Sequence, residues 1–225
     1  MASMFLWIAV AAFALTSALA AQQTPSFTPP RILRAELPAL PAPTVAGGGE
    51  VLIELPIDRN GVPVRPVLLR STAPYTQMML DAIMRWAFEP AVEVDVKGEK
   101  SQVESSVLVA ALYRPPTLLN GPAAGEAPTH ITVGSSDVAY PALLVPPLHP
   151  PTAFGGALIL FEVSLDEAGA IEKVRPVSTD PAFESAARDA LMQWTFRPAL
   201  ARGRPAAASA YVLFGFRPPV VSSVR

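Results

Sequence analysis

Between residues 50 and 58 apolar and polar side chains alternate, with Val51, Ile53, Leu55 and Ile57 standing between Glu50, Glu54 and Asp58. A period of two puts one set on a single face and predicts a strand with that face buried. The same parity returns at Ile159, Phe161, Val163 and Leu165. Each run leads into an Asp-x-x-Gly, Asp58 to Gly61 and Asp166 to Gly169. There the carboxylate can bond nearby amides and the glycine can take positive φ, so the chain is expected to fold back as a hairpin. The returning strands, near 62–70 and 170–178, alternate less cleanly.

The period then changes. Tyr75, Met78, Met79, Ala82, Ile83 and Trp86 follow the i, i+3, i+4, i+7, i+8, i+11 series, and Phe183, Ala186, Ala187, Ala190, Leu191 and Trp194 repeat it. This predicts an amphipathic helix of about four turns lying across the sheet. In the second run Asp180 suits the N-cap and Pro181 the first helical position. Pro90 and Pro198 stop each helix, and alternating runs at 103–112 and 206–216 predict a closing outer strand.

These parallels form one internal repeat. Sliding the chain on itself carries Asp58 onto Asp166, a shift of 108 positions, and carries residues 81–91 onto 189–199 with seven of eleven identical, among them Trp86/Trp194, Phe88/Phe196 and Pro90/Pro198. Tyr113-Arg114-Pro115-Pro116 answers Phe216-Arg217-Pro218-Pro219 at the ends. The expected fold class is α+β, two repeats of a β-hairpin–helix–β unit, each a three-stranded antiparallel sheet with one helix packed on it. The expected organisation is a leader at 1–20, a Pro-rich lead at 21–46, repeat one at 47–116, a Pro-rich connector at 117–153, repeat two at 154–219 and a tail at 220–225. The Pro-rich stretches read as extended spacers. Units of about 65 residues make thin cores, so the copies are expected to pack together within the chain or as a homodimer.

Residues 4–21 are apolar, carry no charge and end in Ser17-Ala18-Leu19-Ala20-Ala21. This predicts a signal peptide cut after Ala20 or Ala21 and a periplasmic location. The run also meets the lower limit for a span, so an inner-membrane anchor facing the periplasm is the alternative. A formal net charge of -2 over 225 residues makes nucleic acid an unsuitable partner. The absence of cysteine excludes disulfides, thiolate metal sites and a cysteine nucleophile. The only two histidines, His130 and His149, stand in the connector without carboxylates at metal-ligand spacing and read as solvated loop residues. Asp58 and Asp166 read as turn residues rather than a catalytic pair. Gly47-Gly48-Gly49 precedes a strand instead of a helix and reads as a flexible lead-in. Trp86, Trp194, Phe88 and Phe196 read as core. No enzyme motif, cofactor or metal site is expected.

A glycine before an alternating strand, Asp-x-x-Gly, a helix ending in Trp-x-Phe-x-Pro-Ala, then Lys97-Gly98 or Arg202-Gly203 and a final strand together resemble the TonB C-terminal domain family, twice over. Ala139-Tyr140-Pro141-Ala142 is similar to the lead-in that often precedes the family's first strand, and only the second copy has it. The resemblance implies a periplasmic domain that binds a protein partner, such as an outer-membrane receptor peptide, by strand addition to an exposed sheet edge. Carried over by position, that edge is the last strand: Ser209, Tyr211 and Leu213 in copy two, Ser105 and Val107 in copy one. The competing expectation is that the two edges pair with each other inside the molecule. The functional expectation is a non-enzymatic binding or scaffold protein. The alternative is a minimal membrane-anchored energy transducer for outer-membrane receptor transport.

Overall fold

A computed structural model describes residues 26–42, 44–45, 47–116, 128–134 and 136–219. The expected leader at 1–20 and tail at 220–225 lie outside the described residues. Among the described residues the fold is mixed α+β, mostly strand, with two helices and several small sheets.

In chain order the first half contains β1 (Ser26–Thr28), β2 (Arg31–Arg34), β3 (Gly49–Ile57), β4 (Val67–Arg70), α1 (Tyr75–Ile83), β5 (Ala87–Glu89), β6 (Ala91–Val94), β7 (Lys100–Val103) and β8 (Ser105–Tyr113). The second half contains β9 (Thr129–His130), β10 (Pro141–Leu144), β11 (Ala157–Leu165), β12 (Ile171–Ser178), α2 (Glu184–Leu191), β13 (Thr195–Phe196), β14 (Ala199–Ala201), β15 (Arg204–Ala206) and β16 (Ala208–Phe216).

The main sheet has six strands in the order β12-β11-β16-β8-β3-β4. Every neighbouring pair is antiparallel except the central one, where β8 and β16 run parallel. Since the central strands run the same way and each hairpin lies outward, the two halves present opposite faces. Val107, Val109, Ala111 and Tyr113 point into one core with Val51, Ile53, Leu55 and the α1 residues Tyr75, Met79 and Ile83. Leu108, Ala110 and Leu112 point into the other with Ile159, Phe161, Val163 and the α2 residues Ala187, Ala190 and Leu191. The helices therefore cover opposite sides of one sheet.

This arrangement corrects the expectation of three-stranded sheets with one buried face. Leu52 and Leu160, on the faces expected to be polar, are 1% and 0% exposed. The central strands are sealed on both sides, the usual condition of parallel pairs.

The helices are shorter than the four turns expected. α1 spans nine residues and α2 eight. Trp86 and Trp194 follow them on turns whose amides bond to Ile83 and Leu191. Asp180 precedes α2 by a turn, its carboxylate accepting from the Ala182 amide at 2.9 Å.

The Pro-rich stretches are not plain spacers. β1 pairs with β6 and β2 with β5, while β10 pairs with β13 and β9. Ile32 and Leu144 are buried. The first half also has a counterpart of the Tyr-Pro lead-in: Ile32 faces Phe88 as Pro141 faces Phe196. It lacks the Tyr-Pro letters but occupies the same backbone register.

Candidate functional site

The expected turn residues do local work. Asp58 accepts from the amides of Asn60 and Val62, both at 2.8 Å, and Asp166 accepts from those of Ala168 at 2.9 Å and Ala170 at 2.7 Å. The Val62 amide is the main cause that holds the Asp58 carboxyl below its usual range; desolvation opposes it, and the Asn60 amide and side chain and the Gly61 amide add to the lowering. Gly61 and Gly169 sit at φ 81, and a Cβ on Gly61 would lie 1.9 Å from the Phe88 carbonyl oxygen. That carbonyl side is where each turn meets the Trp-x-Phe segment: the Phe88 amide donates to the Gly61 carbonyl at 3.0 Å.

Trp86, Phe88, Trp194 and Phe196 are buried. Each indole N–H donates to a carbonyl of the preceding Pro-rich stretch, Trp86 to Glu36 at 2.8 Å and Trp194 to Val145 at 2.9 Å. Pro90 and Pro198 lie between short strands, so they separate β5 from β6 and β13 from β14 rather than ending the helices.

The pairing corrects the edge role expected for Tyr211 and Leu213, whereas Ser105, Val107 and Ser209 precede the parallel ladder, which begins at Leu108 and Ala210. Tyr211 lies opposite Val109 and Leu213 opposite Ala111 at the centre of the sheet. Ser105 and Val107 pair with Ile57 and Leu55, and Ser209 pairs with Ser164. The competing expectation, that the last strands meet inside the molecule, describes the observed arrangement. Pairing satisfies the backbone groups that an isolated unit would leave open. The outer strands of the main sheet are β4 and β12 instead. β12 carries Glu172, Lys173, Arg175 and Pro176, residues that discourage strand addition.

A buried polar cluster, missed from the sequence, ties the halves together. Glu162 is 6% exposed and binds Arg175 at 2.5 Å. It also accepts from the Tyr211 hydroxyl at 3.0 Å and the Ile32 amide at 3.3 Å. Tyr211 meets Trp86 and Phe88 edge-on, with ring centroids 5.8 and 5.4 Å away. Burial first, and then the Glu162 charge, push its hydroxyl far above the usual phenol range. Its signal was the alternation itself: Glu162 stands on the face opposite Phe161 and Val163, which is polar only if it is exposed.

Other ties also cross between the halves. Arg217, 1% exposed, donates to the Ala42 carbonyl at 2.9 Å and to the Tyr75 hydroxyl at 3.3 Å. Arg114, equally buried, donates to the Pro147 carbonyl. The Ser136 hydroxyl donates to Glu54 at 3.1 Å. Each half thus holds the Pro-rich stretch that precedes the other.

Two smaller expectations change. His149 is not solvated: its ring packs edge-on against Phe183 and Phe216 at 5.4 and 6.1 Å. His130 sits exposed in β9 and faces Leu143. Gly49 is no flexible lead-in, because a Cβ there would lie 2.2 Å from the Tyr75 ring. Among the described residues no helix is long and apolar enough to cross a membrane. Comparison of the chain with protein-family models, with curated proteins and with solved structures gives no match in any of the three.

Proposed function

We propose that the chain is a non-enzymatic protein-binding scaffold of the TonB C-terminal type, delivered to the periplasm by a cleaved leader and built from two tandem copies of a β-hairpin–helix–β unit. The observation that carries this reading is the parallel pairing of β8 with β16. The last strand of one unit alone would expose an unpaired edge that invites another strand. Here each copy closes that edge of the other, so the chain works as a self-paired tandem.

Equivalent contacts support the tandem reading. Both Asp turns, both Trp-to-carbonyl bonds and both buried terminal arginines recur in the two halves. The Pro-rich stretches join the units, since they supply β1, β2 and β10. The strongest polar groups are engaged in holding the fold: Asp58 and Asp166 in turns, Glu162 with Arg175 and Tyr211 between halves. Such use fits a recognition scaffold better than a reaction site.

The test is made in the native host. Fractionation followed by N-terminal sequencing is expected to find a mature chain starting near Gln22 in the periplasm. Photo-crosslinking of that chain in envelope preparations is expected to give a discrete protein adduct. Retention of residues 1–20 in the inner membrane would overturn the soluble form in favour of an anchored transducer. Absence of any adduct would overturn protein binding.

A further inference from the structure

Asn60 is exposed at the tip of the first Asp turn and is followed by Gly61. A glycine has no Cβ to shield its backbone nitrogen, so that nitrogen can attack the side-chain carbonyl of a preceding asparagine. The repeat supplies a contrast, because copy two holds Ala168-Gly169 at the same positions and has no side-chain amide there.

The turn works against this attack. The Gly61 N–H, whose proton must leave, donates to the Asp58 carbonyl at 3.0 Å. The Asn60 side-chain amide is drawn back toward Asp58, its Nδ2 donating to Oδ2 at 3.4 Å. The other carboxylate oxygen accepts from the Asn60 and Val62 amides, both at 2.8 Å, and so fixes the backbone on either side of Gly61. Gly61 itself has no room to swing, since the Phe88 carbonyl oxygen would stand 1.9 Å from a Cβ placed there.

We infer that Asn60 is a modification site that converts by self-cyclisation to aspartate and isoaspartate, and that the Asp58 turn guards it while the chain is folded. In the reaction the Gly61 nitrogen gives up its proton and bonds to Asn60 Cγ. The Cγ–Nδ2 bond breaks and Nδ2 leaves as ammonia, taking up that proton. Water then opens the cyclic imide at either carbonyl. Ring closure needs the Gly61 and Asn60 ties undone together, so it proceeds through the locally opened turn at a rate set by how often the turn opens.

The products bear on the fold. An isoaspartyl link inserts a methylene into the main chain ahead of Gly61, where the hairpin meets the Trp-x-Phe segment through the bond from the Phe88 amide to the Gly61 carbonyl. The aspartyl product sets a second carboxylate beside Asp58 in place of the amide that donates to it. Either one loosens the turn of the first half and leaves its counterpart at Asp166 intact.

Incubation of the full chain in warm, mildly alkaline buffer, followed by low-pH digestion and mass spectrometry of the peptide holding Asn60, tests the inference. The other asparagine, Asn120, lies outside the described residues and is followed as a separate signal. In guanidinium Asn60 should show the mass gain of amide-to-acid conversion, and in the folded chain the gain should come about tenfold more slowly or less. Asp58→Ala should raise the folded-chain rate several-fold, whereas the matching Asp166→Ala should leave it unchanged. Isoaspartyl chains isolated by ion exchange should melt below unmodified ones. Equal rates with and without guanidinium, or equal effects of the two Asp variants, would overturn the guarding turn; no conversion in guanidinium would overturn the site. Should Asp58→Ala fail to fold, hydrogen exchange of the Gly61 amide in the native chain decides the same point: slow exchange supports the guard, and exchange as fast as in a free peptide overturns it.

Discussion

Tyr211 and Glu162 sit where a strand would normally carry only apolar side chains, and their geometry explains how they are tolerated. Each satisfies the other, and the remaining capacity of Glu162 goes to Arg175 and the Ile32 amide. Replacing Tyr211 with Phe keeps the ring against Trp86 and Phe88 but removes the donor beside a buried carboxylate. Urea unfolding should show a loss of about 1–3 kcal/mol. Trp194→Ala removes a side chain 4% exposed. It should cost ~3–5 kcal/mol in the same measurement. Asp58 gives a pH signature. Its folded-state pKa lies below the unfolded value, so its contribution is present above the unfolded pKa and is lost as pH falls through the folded one. The melting-temperature difference between the native chain and Asp58→Asn should therefore be larger at pH 7 than below pH 3. An unchanged difference would show that the turn does not depend on the carboxylate charge. The Asp-x-x-Gly and Trp-x-Phe residues were legible because their chemistry is local or strongly apolar. Glu162, His149 and Gly49 were not, because distant rings and carbonyls decide their environments.

At the scale of elements, hairpins and helices could be read from periodicity, whereas the place of the last strands could not. Residues 107–113 form an unbroken apolar run and residues 210–214 are likewise apolar throughout. Such runs mark strands buried on both faces. Alternation alone places both strands on the outside; the unbroken apolar runs place them at the centre. The helices end early because the Trp86 and Trp194 turns redirect the chain into β5 and β13, which find partners in β2 and β10. β1 and β2 are short and flanked by proline, so their local sequence favours an extended, unpaired chain. Only tertiary pairing makes them strands. Deleting residues 1–38 tests whether they belong to the fold. It would remove the carbonyl that accepts from Trp86 and uncover Glu162. The truncated chain should unfold at lower urea concentration and show red-shifted tryptophan emission. Emission and midpoint equal to those of the longer chain would assign the stretch to a dispensable linker.

For the whole molecule, the consequence of the central parallel pair is interdependence. Separated halves would each expose one side of β8 or β16 and lose the ties from Arg114, Arg217 and Glu162 to the opposite stretch. Expressed alone, 26–116 and 128–219 should give poorly ordered or self-associated species by circular dichroism and size exclusion. Mixed in equal amounts, they should recover the native spectrum. Two independently folded monomeric halves would contradict this. The repeat therefore reveals the parts, but not their union, since an internal repeat is equally compatible with beads on a string. Whether the last strands meet inside one chain is the point on which the scaffold reading depends. Cross-strand nuclear Overhauser contacts in the monomeric, isotope-labelled chain measure it most directly. The account predicts backbone contacts joining Val109 to Tyr211 and Ala111 to Leu213 in parallel register, independent of concentration. Their absence, or their appearance only between differently labelled chains, would contradict it.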